Sequence, residues 1–385
     1  MIMEDGERLS ILNILYVTIF LASTGLGTCS FLLPVYAQTL GASYTDLGLI
    51  GAAGNLVYTI LTITCGYMLD RYEKIRLYTI FTLYSSVIML LFTWAKTIPH
   101  LIILRGLLGS ASAAFWVTAS TLTGEISPRN ELTRSLGRYN LSWITGFTVG
   151  PYLGGLITSK YGYTVFFQAS TGLIMTSLVL IIIKMRGRIS LRRTYGHEKT
   201  SIGELRPLAL SYLTLIPFAM VLGIYMAIIP GHMKVVGLTA SLIGLLLTIT
   251  NGIRGTLFFN VERFVKWGTW KSLLMASGLL ATAMYLVRTG NDLLGFAVPL
   301  AFYGAGSGIM TPVVLDFISK RTPDKLRGTA MGMHEGIYGV GMFIGPLIGG
   351  AIADAFSTFT LYSLLVGVSL MILPFGYFMT RKPKA

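Results

Sequence analysis

The sequence predicts an all-α integral membrane protein of twelve transmembrane helices in two pseudo-symmetric six-helix halves. Three observations carry that expectation: long apolar runs with short polar connections, basic residues crowded into alternate connections, and a ten-residue glycine–proline pattern that occurs twice at one offset.

The apolar runs come first. Of 385 residues 53% are hydrophobic and only 12% charged, whereas a soluble chain carries about a quarter of its residues as charges. Most of this surface must therefore face lipid. An α-helix needs roughly 20 apolar residues to cross about 30 Å of hydrocarbon. Twelve such segments are expected at 10–37, 45–69, 76–95, 99–123, 134–158, 163–184, 207–231, 240–261, 271–288, 293–317, 327–351 and 358–379. Helices are the only spanning form for runs of this length, because backbone groups cannot go unpaired in lipid. The acidic N-terminus and the long run behind it do not have the form of a removable signal peptide.

Charge supplies the orientation. The formal net charge of +14 is spread between apolar runs and forms no stripe, so no nucleic-acid partner is implied. With an even number of spans both termini lie on one side, and that side holds 24 of the 30 Lys and Arg. The positive-inside rule puts both termini in the cytoplasm of a cell membrane. The longest and most basic connection separates a half at 1–185 from a half at 207–385, with 186–206 as a cytoplasmic linker. Cys29 and Cys65 fall inside apolar runs without metal-ligand spacing, and neither a metal nor a cofactor is implied.

The repeat fixes the architecture. GFTVGPYLGG at 146–155 in span five and GMFIGPLIGG at 341–350 in span eleven share the form GxxxGPxxGG at an offset of 195. The same offset relates Gly137 to Gly332, Gly109 to Gly304 and Ser112 to Ser307, and an offset of 196 relates Gly48 to Gly244 and Asn55 to Asn251. Gly146, Gly150, Gly154 and Gly155, with Gly341, Gly345, Gly349 and Gly350, leave grooves where another helix approaches at backbone distance. Pro151 and Pro346 each remove a backbone hydrogen bond and kink the helix. A pliable, closely packed helix suits a moving interface.

On these residues the chain resembles the major facilitator superfamily over nearly its full length. GYMLDRYEKIR at 66–76 is similar to that family's signature loop and keeps Gly66, Asp70, Arg71 and Lys74. It departs at Glu73, where glycine is usual, and at Ile75, usually basic; both are expected to weaken the turn. RGLLGSASAA at 105–114 resembles a second family element, and GPxxGG is similar to the element of proton-driven drug exporters. Glu262, Arg263 and Lys266 look like a degraded copy of the signature loop. The resemblance implies a monomer whose halves rock about a central site, with Asp70 near the start of span eleven and Arg71, Lys74 and Arg138 completing a charge network.

Ionisable groups inside spans cost on the order of 2.5–3.5 kcal/mol each on insertion scales and are functional candidates. Arg105, Arg254, His334 and Glu335 stand out, and Asp316 sits near a span end. Glu335 is the first choice for a proton carrier, since burial favours a carboxylate's neutral form and a nearby arginine such as Arg254 its charged form. His334 and Glu335 are adjacent, so at most one points squarely into a cavity. If spans one, four, seven and ten line that cavity, as the resemblance implies, they offer Asn13, Tyr16, Phe20 and Thr24; Tyr212, Met220 and Tyr225; and Tyr303, Ser307 and Thr311. Aromatic and methionine surfaces suit lipophilic ligands. Span one carries no acidic residue after Glu7, which argues against a strongly cationic substrate.

The expected function is secondary active transport of a small solute, with a proton as coupling ion: export of a moderately lipophilic compound. The alternatives are uptake or exchange of a small organic anion through Arg105 and Arg254, and a non-transporting receptor or scaffold on the same fold. HExxH, GxSxG and P-loop patterns are lacking and the four histidines are scattered, so no enzyme is expected.

Overall fold

The structure, a computed structural model, describes residues 5–128, 131–185, 202–322 and 326–381. The described chain is helical, with no strand. The helices are α1 (Asp5–Thr39), α2 (Tyr44–Arg71), α3 (Lys74–Leu91), α4 (Ile98–Ile126), α5 (Leu132–Lys184), α6 (Ala209–Ala227), α7 (Ile229–Val235), α8 (Ala240–Phe259), α9 (Val261–Trp267), α10 (Thr269–Val287), α11 (Leu293–Arg321), α12 (Arg327–Ala355), α13 (Thr358–Leu370) and α14 (Ile372–Thr380). Most of the expected linker, 186–201, lies outside the described residues; Ile202–Leu208 form a 3₁₀ turn leading into α6.

Among the described residues ten helical segments are long and apolar enough to cross a membrane. The count becomes twelve by two steps. The 53 residues of α5 would extend about 80 Å as one rod, but Gly162 at φ 82° and ψ 175° breaks them into spans five and six. This left-handed backbone is open to glycine and strained for other residues. The 28-residue α2 adds the twelfth. Span seven is made of α6 and α7, separated where Pro230 begins the second piece, and span twelve of α13 and α14.

Side chains set several helix starts. Ser43 and Asp46 form a reciprocal capping box on α2, and Asp292 accepts from Gly295 N at 2.7 Å on α11. Glu73 corrects an expectation. It does not weaken the signature turn, because it caps α3 by accepting from Ile75 N at 3.0 Å and Arg76 N at 2.7 Å. Tyr72 and Glu73 both keep negative φ, so this turn has no need of glycine.

The packing repeats itself. α1 lies on α5 as α6 lies on α12, and α2 on α4 as α8 on α11. One contact appears twice: Tyr16 donates to the Ser135 carbonyl and Tyr212 to the Ala330 carbonyl, each at 3.2 Å. Both tyrosines are buried tethers between helices. Two further pairings, α2 with α12 and α5 with α8, join the first six spans to the last six.

Candidate functional site

The two joining seams are built from the GxxxGPxxGG elements. In each element the first three glycines pack within their own set of six spans: Gly146, Gly150 and Gly154 lie against Ser23, Thr24 and Thr28 of α1, and Gly341, Gly345 and Gly349 against Ala219, Met220 and Ile224 of α6. The last glycine crosses the seam. A Cβ on Gly155 would overlap the Ala240 carbonyl, and one on Gly350 the Tyr44 carbonyl. Facing them, Gly244 abuts the Pro151 carbonyl and Gly48 the Pro346 carbonyl.

Each proline leaves the carbonyl four residues earlier without its helical donor. Asn55 Nδ2 donates to the Met342 carbonyl at 2.9 Å and Asn251 Nδ2 to the Phe147 carbonyl at 3.2 Å. The asparagines related by the repeat therefore satisfy, from across the seam, the carbonyls that the prolines free. Thr248 adds a bond to the Thr148 carbonyl at 2.6 Å and accepts from Tyr152 N at 3.2 Å.

At the end away from the termini the seams finish in a pair of latches. Asp354 at the foot of α12 accepts from Tyr44 N at 3.0 Å and Thr45 N at 2.7 Å, at the N-terminus of α2. Unpaired N–H groups and the helix dipole favour a carboxylate there. At the other seam Ser159 Oγ accepts from Ser241 N at 3.1 Å and from Ser241 Oγ at 2.7 Å, at the start of α8. Ser159 is Asp354 less 195 and Thr45 is Ser241 less 196, so the two latches occupy positions related by the repeat. Among the described residues every hydrogen bond between the first six spans and the last six lies at this end or at mid-depth.

On the termini side of these bonds, one turn beyond the close contact of Gly339 with Thr59, stands Glu335. Its side chain is 49% exposed, so it is not the buried group the sequence suggested, and its partner is His334 Nδ1 at 3.2 Å instead of Arg254. His334 turns inward, is buried and stacks on Tyr338 at 5.8 Å. Glu335 lies within electrostatic reach of Tyr58 on α2, Tyr139 on α5 and Tyr338, which places it between the two sets of helices. Arg254 on α8 stands near Tyr338, Tyr225 and Tyr303. Arg105 on α4 packs against Gly54 and lines a small cavity with Ser30, Asn55 and Met226.

Other candidates are placed elsewhere. Asn13 is exposed on α1, while Thr24 is buried and bonds to the Phe20 carbonyl at 2.8 Å. Asp316 pairs with Lys320 at 2.8 Å, and Glu262 with Lys266 at 3.7 Å on the exposed α9. Gly66 and Asp70 lie in the last turns of α2, but their side-chain surroundings fall outside the description, as do those of Arg327 and Gly328 at the start of α12, which Asp70 was expected to face. Arg71 is exposed and Arg138 half-buried.

Lys74 brings in a residue that sequence reasoning missed. Its ammonium lies 3.2 Å from Glu125 of α4, with side-chain exposures of 2% and 13%. Removing one member of a buried pair leaves the other charge less well compensated. Glu125→Gln is therefore expected to destabilise the protein on the order of 3 kcal/mol, seen as a lower unfolding temperature in detergent with ligand affinity unchanged. Unfolding at the wild-type temperature would show that the pair contributes no stability.

Comparison with known proteins agrees with this architecture. The family model "Major Facilitator Superfamily" matches residues 15–289 and 273–385. An uncharacterized MFS-type transporter of Methanocaldococcus jannaschii is 24% identical, covering 93% of this chain and 95% of its own. Multidrug resistance protein 1 of Bacillus subtilis is 26% identical, covering 94% and 95%. Among solved structures, a bacterial homolog of the human lysosomal transporter Spinster, inward-facing and unoccupied, superposes with a TM-score of 0.77 at 14% identity, covering both chains fully. With glycine seams, a repeated twelve-span bundle and a family model matching nearly its whole length, this chain belongs to the Major Facilitator Superfamily of membrane transporters.

Proposed function

We propose that this transporter exports a small, moderately lipophilic compound in exchange for protons. The units that rock are residues 1–185 and 207–385, tethered by 186–206. Both termini are cytoplasmic, so Glu335 lies on the cytoplasmic side of the seams and the latched end faces outward. The relative named as a multidrug resistance protein supports the direction and the breadth of substrate. The observation that carries the reading is Glu335: a half-exposed carboxylate of α12 that lies near Tyr58 and Tyr139 of the other set of helices. A carboxylate between two units that rock is presented to the two sides of the membrane in turn.

The test is accumulation of a lipophilic dye in proteoliposomes under an imposed pH gradient. Glu335→Gln is expected to reduce gradient-driven accumulation at least about tenfold, equivalent to roughly 1.4 kcal/mol of lost coupling, with dye binding retained. Undiminished accumulation in Glu335→Gln would remove Glu335 from the coupling step.

A further inference from the structure

We propose that Arg254, with Tyr225, Tyr303 and Tyr338, forms a subsite for the acidic head of the transported compound, a carboxylate or phenolate on an aromatic body. The inference rests on the reading of the chain as an exporter of lipophilic compounds and names the class of compound.

The guanidinium of Arg254 is half-buried on α8. It is close to Tyr338, Tyr225 and Tyr303, and among the described residues it has no carboxylate partner. A guanidinium has five N–H donors and no acceptor of its own. The unmet demand lies beside it: Tyr303 and Tyr225 are fully buried, and neither hydroxyl has a hydrogen-bond partner among the described residues. The Tyr303 ring stacks on Tyr225 at 4.2 Å, so its hydroxyl is held on the Arg254 side by packing. What this cluster lacks is an acceptor carrying negative charge, because a buried donor without one forfeits its hydrogen bond at a cost of about 1–3 kcal/mol.

The surroundings favour a lipophilic acid over an inorganic anion. From Tyr225 a run of rings crosses between the two sets of helices: Phe31 at 5.7 Å from Tyr225, Phe147 at 6.2 Å from Phe31, then Trp143 at 5.8 Å and Trp116 at 6.1 Å from Phe147. An aromatic body stacks along such a surface while its head reaches Arg254. The charge inventory has the same sign. Within the membrane Arg105 and Arg254 face a single half-exposed carboxylate, Glu335, and α1 offers none after Glu7. A net positive interior repels a cationic head and attracts an anionic one.

The test is equilibrium binding to the full-length protein in phosphatidylcholine nanodiscs, with 2-naphthoate, 2-naphthylmethanol and 2-naphthylmethylammonium as probes of one shape and three charges. Naphthoate is expected to bind at least about tenfold more tightly than the alcohol, as a charge-assisted bond to an arginine implies. Arg254→Gln should remove the preference and leave alcohol binding in place. Tyr303→Phe keeps the packing and should weaken naphthoate alone, by about threefold to tenfold, for one lost hydrogen bond. Equal binding of the three probes, or a preference for the acid that survives both substitutions, would overturn the subsite. Transport of the neutral probe without preference for the acid would sink the subsite and spare the exporter. Tight naphthoate binding with no probe crossing a proteoliposome would do the reverse.

Discussion

Alanine in place of Gly48 or Gly244 is expected to cut transport by at least about tenfold while leaving each helix more stable than before. Alanine is the better helix former by about 1 kcal/mol, so local folding favours the substitution. The seam opposes it. A Cβ at Gly48 would overlap the Pro346 carbonyl oxygen, and one at Gly244 the Pro151 carbonyl oxygen, both backbone atoms of the opposing helix. Overpacking of this kind costs about 1–3 kcal/mol, and it falls only on the state in which the end away from the termini is sealed. A transporter that cannot seal one end cannot complete its cycle. Gly172→Ala is the control, because a Cβ there meets open space. Transport rates in proteoliposomes decide the matter: wild-type rates in both seam variants would mean that close approach at these glycines is dispensable.

Asp354→Asn is expected to shift the resting population towards the state open at the latched end. The carboxylate accepts two backbone bonds from the start of α2, at 3.0 and 2.7 Å. Each is charge-assisted and aligned with the helix dipole, and an exposed carboxylate at such a position is worth about 0.3–1 kcal/mol from the dipole alone. The amide keeps the shape and one acceptor but loses the charge. A shift of about threefold to tenfold in the ratio of the two states follows. Spin labels at Thr97→Cys and Asn291→Cys, both exposed at this end, would report it as a growing long-distance population. Ser159→Ala, at the neutral latch, should move the same distribution less. Identical distributions for wild type and Asp354→Asn would show that the carboxylate does not hold this end.

Much of the fold was legible because its signals are local or repeated. Span positions follow from apolar runs, and the glycine–proline pattern is visible wherever a helix must approach another at backbone distance. Asn55 and Asn251 stood out through their common offset, although only the structure shows that they meet the carbonyls freed by Pro346 and Pro151. What escaped was pairing between distant elements. Glu125 carries no motif of its own, and only the fold sets Lys74 beside it. Asp354 acts on residues 309 and 310 positions away, so no window of sequence joins them. Burial was hardest to read: Glu335 lies within an apolar run but is half-exposed, whereas Tyr16 and Tyr212, expected to line a cavity, spend their hydroxyls on neighbouring carbonyls. Glu73 was misjudged for a related reason, since a side-chain cap can replace the glycine of a turn.

The central claim, that this chain moves a solute by alternately sealing its two ends, is tested most directly by transport itself. Purified protein in sealed liposomes, loaded with 2-naphthoate or a lipophilic dye and given an inward proton gradient, should show saturable movement that collapses when the gradient is dissipated. Saturable binding to the same liposomes with no movement across the membrane under any gradient would contradict the account and leave a ligand-binding protein on a transporter fold.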